Sequence, residues 1–379
     1  MPPRTPRPDP FFSLEPHAEM GARLPALDGL RAIAVLLVFA HHGEVPFLQG
    51  GFVGVDLFFV LSGFLITQLL LKSHAECGRI QFTRFYSHRF IRLFPALALV
   101  CLALGLQAAG SHDLPARWPD IWPALTYATD FARNRPGAPD LLGHTWSLAV
   151  EEQFYVLWPL ALTALLLLGL RARTLAVILA AGILAVAAWR CALFFDAGAM
   201  RAYGSLDAHA DGLMAGCLLS LCTRRTLGLI GCLWPLGAMV LALVTAFSEW
   251  TDPRLYLGGL TLIALSAASI LAALVVQPRW SPAPLLNLAP LRLTGRFSYG
   301  AYLWNYPLLQ LLAVQLHLGP QAAAALAAPL TLAIAGASFV LVERPLLARR
   351  DVMPGWLRVA TALAGPACLA IGVALVAIG

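Results

Sequence analysis

In the first apolar run, Leu27-Asp28-Gly29-Leu30-Arg31 is followed eleven residues after the arginine by His42, which is itself preceded by His41. Eleven residues is close to three helical turns, so Arg31 and His42 share a face roughly 16 Å apart along the axis, and His41 points elsewhere. A histidine inside an apolar run is costly to bury and usually faces a cavity or a partner, where it can serve as a general base. A hydrogen-bonded interhelical histidine accounts for the same residue equally well. In the next apolar run Asp56 stands near one end and the small pair Ser62-Gly63 lies deeper. Asp56 suits orienting a neighbour or capping a helix better than acting as an acid, and close helix packing explains Ser62 and Gly63 without chemistry.

Two further groups could meet charged or activated substrates. Arg89 and Arg92 are three residues apart on one helical face, and paired guanidinium forks suit phosphate oxygens, although anchoring by positive charge explains an isolated basic cluster as well. In the segment from His144 to Pro159, Ser147, Glu151, Tyr155 and Trp158 share a face while Glu152 is rotated by about 100°, so Glu151 is the carboxylate able to meet a partner inside a bundle. Asp207, His209 and Asp211 resemble a metal set only when written out. On a continuous helix the two aspartates share a face and His209 points away, so no metal site is expected.

These residues must be positioned by membrane-spanning helices. Hydrophobic residues make up 59% of the 379 and charged residues 12%, with mean hydropathy +0.74, against roughly 25% charged in a soluble domain. Helices are expected near 27–46, 52–71, 91–109, 144–168, 174–195, 206–221, 228–247, 257–276, 298–316, 323–342 and 356–378, about eleven spans. The expected fold is all-α, a polytopic transmembrane bundle of about ten core helices plus one C-terminal span. Its parts are a cytoplasmic polar tail (1–26), a membrane domain (27–347) and a last helix (348–379). With the N-terminus inside, only Arg117, Arg133, Arg135, Arg190, Arg201 and Arg254 of the 26 basic residues fall outside. The net charge of +6 thus follows membrane topology, and nucleic-acid binding is not expected. The seven scattered cysteines read as buried small hydrophobes. The Pro-rich stretch from Ser111 to Gly143, with Trp118 and Trp122, suits an outer interfacial loop.

Taken in order, LDGLR with its histidine eleven residues on, GVDLFFVLSGFLI, RFIR and TWSLAVEEQFY resemble the motifs of the large family of bacterial membrane-bound acyltransferases, family three. Its members O-acetylate surface polysaccharides, peptidoglycan, nodulation factors and macrolides. The closing motifs FSYGAYLWNYP and VERPLL extend the resemblance over about Leu27 to Leu347. It implies His42 as the catalytic histidine, Arg31 with Asp28 as its motif partners, Glu151 as the motif acid, and Arg89 with Arg92 on the phosphates of acyl-coenzyme A. Asp56, Ser62, Ser147 and Tyr155 would support them. The co-substrate would be acyl-coenzyme A, acetyl by family habit, with no bound cofactor and no metal. The acceptor would be a carbohydrate or lipid-linked glycan, and the place the bacterial inner membrane with the N-terminus cytoplasmic. The last span leads in longer relatives to an extracytoplasmic domain, so a chain of this length is expected to be a stand-alone form. Two positions depart from the pattern: Asn305 follows Trp304 where histidine is usual, and His209 stands where arginine is common.

An alcohol becomes a useful nucleophile as its proton is removed, which is the task His42 would perform, by direct transfer or through an acyl-histidine. A proton-coupled transporter of a small polar metabolite is the rival class, since intramembrane histidines and acids also line carrier pathways. It lacks support from any inverted repeat of broken helices. A membrane scaffold would not need this set of motifs.

Overall fold

The computed structural model describes residues 9–17, 24–111, 113–133, 140–276 and 280–378, and among these every long element is helical. Arg4, Arg7, Arg23, Arg135 and Arg279, which entered the charge count above, lie outside the described residues, as does most of the polar tail. Its described part, 9–17, is not free. Ser13 N donates to Leu221 O (2.8 Å), His17 N donates to Gln68 Oε1 (2.8 Å), and the His17 ring stacks on Phe64.

The first three helices are α1 (Pro25–His42), α2 (Val53–Cys77) and α3 (Phe82–Gly110). Two short helices, α4 (Leu114–Leu125) and α5 (Thr129–Ala132), then lead to α6 (Trp146–Leu167) and α7 (Ala172–Tyr203). The middle of the chain forms α8 (Leu206–His209), α9 (Asp211–Leu221), α10 (Arg224–Gly231), α11 (Trp234–Phe247) and α12 (Leu260–Val276). The last third forms α13 (Ala283–Leu286), α14 (Ala289–Arg296), α15 (Ser298–Leu316), α16 (Pro320–Ser338), α17 (Arg344–Arg349) and α18 (Gly355–Ile378). Helices suit this sequence because a helix satisfies its own backbone hydrogen bonds where no water can.

Eight helices among the described residues are long and apolar enough to cross a bilayer, nine if α10 and α11, bent by 50°, form one span. The other two of the eleven expected segments are helical but fall short for different reasons. The stretch 206–221 breaks at Ala210, leaving an α9 of 11 residues, about 16 Å long and half a hydrocarbon core. α15 has the length, 19 residues, but Asn305, Gln310 and three tyrosines dilute its apolarity.

α3 corrects a boundary that matters for the site. It begins at Phe82 rather than near residue 91, and its 29 residues reach about 43 Å, well beyond a hydrocarbon core of about 30 Å. Arg84 and Arg89, which fall before the expected start, therefore lie with Arg92 in the first turns of a spanning helix. Arg190, placed outside by the charge count, lies in mid-bundle on α7 with no exposed surface.

The core is centred on α2, whose length is mostly buried. A side chain at Gly63 would collide with the carbonyl of Leu213 on α9, and one at Gly216 with that of Val60 on α2. Only glycine permits this close approach, and it locks α2 to α9. At the other extreme, α17 buries none of its residues, and α18 rests on α3 with a Ser87–Thr361 hydroxyl contact (2.9 Å).

Candidate active site

α1, α2, α3 and α6, with α14, α15 and the segment 339–350, enclose a cavity of about 540 Å³. Asp28 and Arg31 face it from α1, and Ser62 from α2. Arg89 and Arg92 face it from α3, with Ser147 and Glu151 from α6. Seven groups singled out by spacing and motif thus line one space.

The face predicted on α6 is the face used. Ser147 Oγ meets Tyr302 Oη (2.7 Å), and Glu151 Oε1 accepts hydrogen bonds from Ser62 Oγ and from Tyr155 Oη (2.7 Å). One turn further, Trp158 Nε1 donates to Thr67 Oγ1 (2.9 Å). Glu151 is thereby held between α2 and its own helix, at the cavity wall. Glu152, rotated away, faces α3 instead, 3.9 Å from Arg89 Nε.

The two arginines of α3 are not equivalent. The Arg89 guanidinium lies 3.5 Å from the Tyr155 ring centre and is backed by Glu152, so burial and a carboxylate hold it in place. Arg92 is exposed to the cavity and has no ion pair among the described residues. Arg31, which also lines the cavity, pairs through Nη1 with Asp28 Oδ1 at 3.3 Å.

His42 does not line this cavity. It stands three turns up α1 from Arg31, as the spacing required, beside a second polar layer. His42 Nδ1 donates to Asn305 Oδ1 (3.1 Å), which leaves the lone pair on Nε2. The Tyr306 ring lies 4.8 Å from its ring and that of His144 6.1 Å away. His144 in turn lies 5.3 Å from Tyr302, which lines the cavity. One layer of aromatic side chains therefore connects the His42 end to the arginine end. His41 points away, with Nδ1 donating to Gln49 O (2.5 Å).

Asp56 lies elsewhere. Its Oδ1 accepts from His209 Nε2 (2.9 Å), while His209 Nδ1 donates to Tyr203 O (2.8 Å), so Asp56 orients a neighbour and the departure at His209 is absorbed by that pair. The neighbouring aspartates do not share a face as a continuous helix would demand, because the break at Ala210 separates them. Asp207 lies at the surface, where burial pushes its carboxyl up but bonds from Arg201 and Trp189 hold it down at about 2. Asp211 is wholly buried against Arg190. With each group committed to a different partner, no three metal-ligating side chains converge among the described residues.

Several wall residues escaped the sequence reading. Gly295, Ser298, Tyr299 and Tyr302 follow one another at helical spacing in FSYGAYLW and its approach, a signal that could have been read. Arg296 and Arg350 add two cations, and the buried Glu343 adds an acid. Glu343 sits with Phe339 on a turn of π-helix (Phe339–Glu343), and both line the cavity. The contact between Asn305 and His42, 263 residues apart, has no local signature at all.

A family model described as "Acyltransferase domain" matches residues 24–342. The chain is 31% identical over 352 residues to the peptidoglycan O-acetyltransferase OatA of Listeria monocytogenes, covering 85% of this chain and 56% of the relative. It is 33% identical over 327 residues to the putative peptidoglycan O-acetyltransferase YrhL of Bacillus subtilis, covering 76% and 49%. The O-acetyltransferase OatA of Staphylococcus aureus is 31% identical over 305 residues, covering 76% and 50%. The chain spans about half the length of the curated relatives it matches. No solved structure matches it.

Proposed function

As the chain belongs to the family of membrane acyltransferases whose domain model it matches, we propose that it is an O-acyltransferase moving an acetyl group from acetyl-coenzyme A to a hydroxyl of a cell-envelope carbohydrate. The observation that carries this reading is the convergence of Arg31, Arg89, Arg92 and Glu151, from three helices, on one cavity whose far end is one aromatic layer from His42. A carrier needs a pathway but has no use for three guanidinium groups gathered at one end, with few carboxylates to balance them, and a single oriented imidazole at the other.

The arginine end would hold the phosphates of the donor by charge-assisted hydrogen bonds, on the cytoplasmic side of the inner membrane. The thioester arm would lie along the cavity toward Tyr302. An acceptor hydroxyl reaching His42 from the outer side would give its proton to Nε2 as its oxygen attacks the thioester carbonyl. The carbon–sulfur bond then breaks, the coenzyme leaves as a thiolate, and the proton on His42 neutralises it. The products are an ester and free coenzyme thiol. Asn305 keeps the Nδ1 proton occupied, so that Nε2 is the nitrogen available. The peptidoglycan named for two of the relatives makes a cell-wall glycan the first acceptor to try.

Purified protein in lipid nanodiscs, given acetyl-coenzyme A and a glycan acceptor, should release free thiol and form ester in equal amounts. Absence of thioester consumption with every hydroxyl acceptor would remove this reading.

A further inference from the structure

We infer that a second cleft, at the end of the molecule where α3 begins, is the subsite for the adenosine 3′,5′-diphosphate part of the donor. This inference rests on the acyltransferase reading and adds to it a nucleotide pocket separate from the cavity that holds the reacting thioester.

The cleft has a volume of about 810 Å³ and lies between the α2–α3 turn, the end of α6 and the start of α18. Arg79, Arg84 and Arg358 line it, with His74 and the Phe82 ring, against an apolar wall from Leu166 and Val359. Its charge is not balanced. Arg79 has no carboxylate partner among the described residues, and Arg84 has only Asp351, at 3.7 Å with both side chains more than half exposed. Arg358 Nη2 is spent on the carbonyls of Asp351 and Met353, while its Nε is buried with no hydrogen-bond partner. Cations in excess of their counter-charge around a concave space call for an anion, and guanidinium forks suit phosphate.

The cleft and the cavity are connected by one helix face. Arg84, His88 and Arg92 are spaced four residues apart on α3, so the stripe runs about 12 Å from the cleft to the cavity. Asp351 sits at the middle of the stripe, 3.2 Å from His88 Nε2, with Arg350 of the cavity wall 3.5 Å away on its other side. A single carboxylate thus faces two arginines and a histidine between the two spaces. A ligand with phosphates on two hydroxyls of one ribose fits this pattern: the 3′-phosphate meets Arg79, Arg84 and Arg358, and the 5′-phosphate is directed along the stripe toward Arg92 and Arg350. Phe82 offers a ring face for the base. A lipid headgroup would satisfy the cleft but would leave the stripe toward Arg92 unused.

The test uses the full chain in nanodiscs made only of zwitterionic lipid. Adenosine 3′,5′-diphosphate, which carries no thioester, should bind the wild-type protein in equilibrium dialysis, and Arg84→Gln with Arg358→Gln should weaken binding about tenfold or more. In turnover the same double variant should raise the KM for acetyl-coenzyme A by a similar factor and leave kcat unchanged. The KM for acetyl-pantetheine, which lacks the nucleotide, should not move, and the wild-type preference for acetyl-coenzyme A over its 3′-dephospho form should vanish. The subsite is overturned if the nucleotide diphosphate does not bind, if the variant binds it as the wild type does, or if an anionic phospholipid added to the discs displaces nothing while binding the cleft itself. Nucleotide binding does not depend on turnover, so a protein that binds it but transfers no acyl group would refute the proposed reaction and not the subsite.

Discussion

Two sets of charges lie within the bundle, and they are treated in opposite ways. On α7 and α9, Arg190 is bound in two-pronged fashion to Asp211 (2.8 and 2.9 Å), with Thr261 Oγ1 at 2.6 Å and no exposure of either charged side chain. In the cavity, Arg92 has no ion pair among the described residues, Arg31 meets Asp28 only at a long 3.3 Å, and Arg89 leans on a ring with a carboxylate at 3.9 Å. A charge buried with a good partner holds helices together. A charge left facing a cavity without one destabilises the empty protein and is retained for what it binds. The distinction predicts which substitutions unfold the protein and which only silence it.

The largest effect belongs to the paired set. Arg190→Ala leaves Asp211 buried and uncompensated, which should cost about 3 to 5 kcal/mol and appear as loss of monodisperse protein in detergent or a collapsed thermal midpoint. Normal folding of that variant would mean that the pairing is dispensable and the contrast false. His42→Ala should leave the thermal midpoint near wild type and lower transfer by about 10² to 10⁴, while His41→Ala stays active within a small factor. Equal loss in the two would move the base elsewhere. Arg89→Lys with Arg92→Lys keeps charge but loses the planar fork, so the KM for acetyl-coenzyme A should rise by about tenfold with kcat little changed. Wild-type kinetics would reduce these arginines to anchors.

A mild test lies between the two sets, at Asp130 on α5. Burial pushes its carboxyl up to about 7, against a hydrogen bond from Gln153 Nε2 (2.9 Å) that lowers it. The folded form holds the proton more tightly than the unfolded chain, whose value is 3.8. Its contribution is therefore complete below about pH 4 and is lost as pH rises through about 7. Asp130→Asn should match wild type at pH 4 and melt roughly 2 to 4 °C higher at pH 8. An identical pH dependence in the two proteins would exclude Asp130 as its source.

The helical period made much of this legible. It gave the shared face of Arg31 and His42, the separation of Glu151 from Glu152, and the inward turn of Ser147, Tyr155 and Trp158. It fell short where hydropathy and charge compete: Arg84 and Arg89 depress the apolar signal, so the expected span began near 91 and left the first two turns of α3 outside it. It failed again at Ala210, where a break in an apolar run sends Asp207 to the surface and Asp211 to the core. Partners distant in sequence were out of reach for a different reason. Asp56 and His209, or His42 and Asn305, meet because of how helices pack, and nothing local to either residue encodes the other.

The cavity has one stiff wall and one that can give. α2 is held against α9 by backbone contact at two glycines, and no small adjustment can move it without breaking both. Opposite, the π turn at Phe339–Glu343 carries one residue more than an α-helical turn needs, and α17 beyond it is anchored by no buried side chain. If that extra residue passes to the next turn, α17 rotates as a unit and swings Leu347 and Arg350 away from the cavity while the path to His42 keeps its shape. On the proposed reading, admission of a bulky donor would be a twist of the 339–350 arm. Amide exchange should be correspondingly fast there and slow along 53–67, and equal rates would leave the two walls mechanically alike.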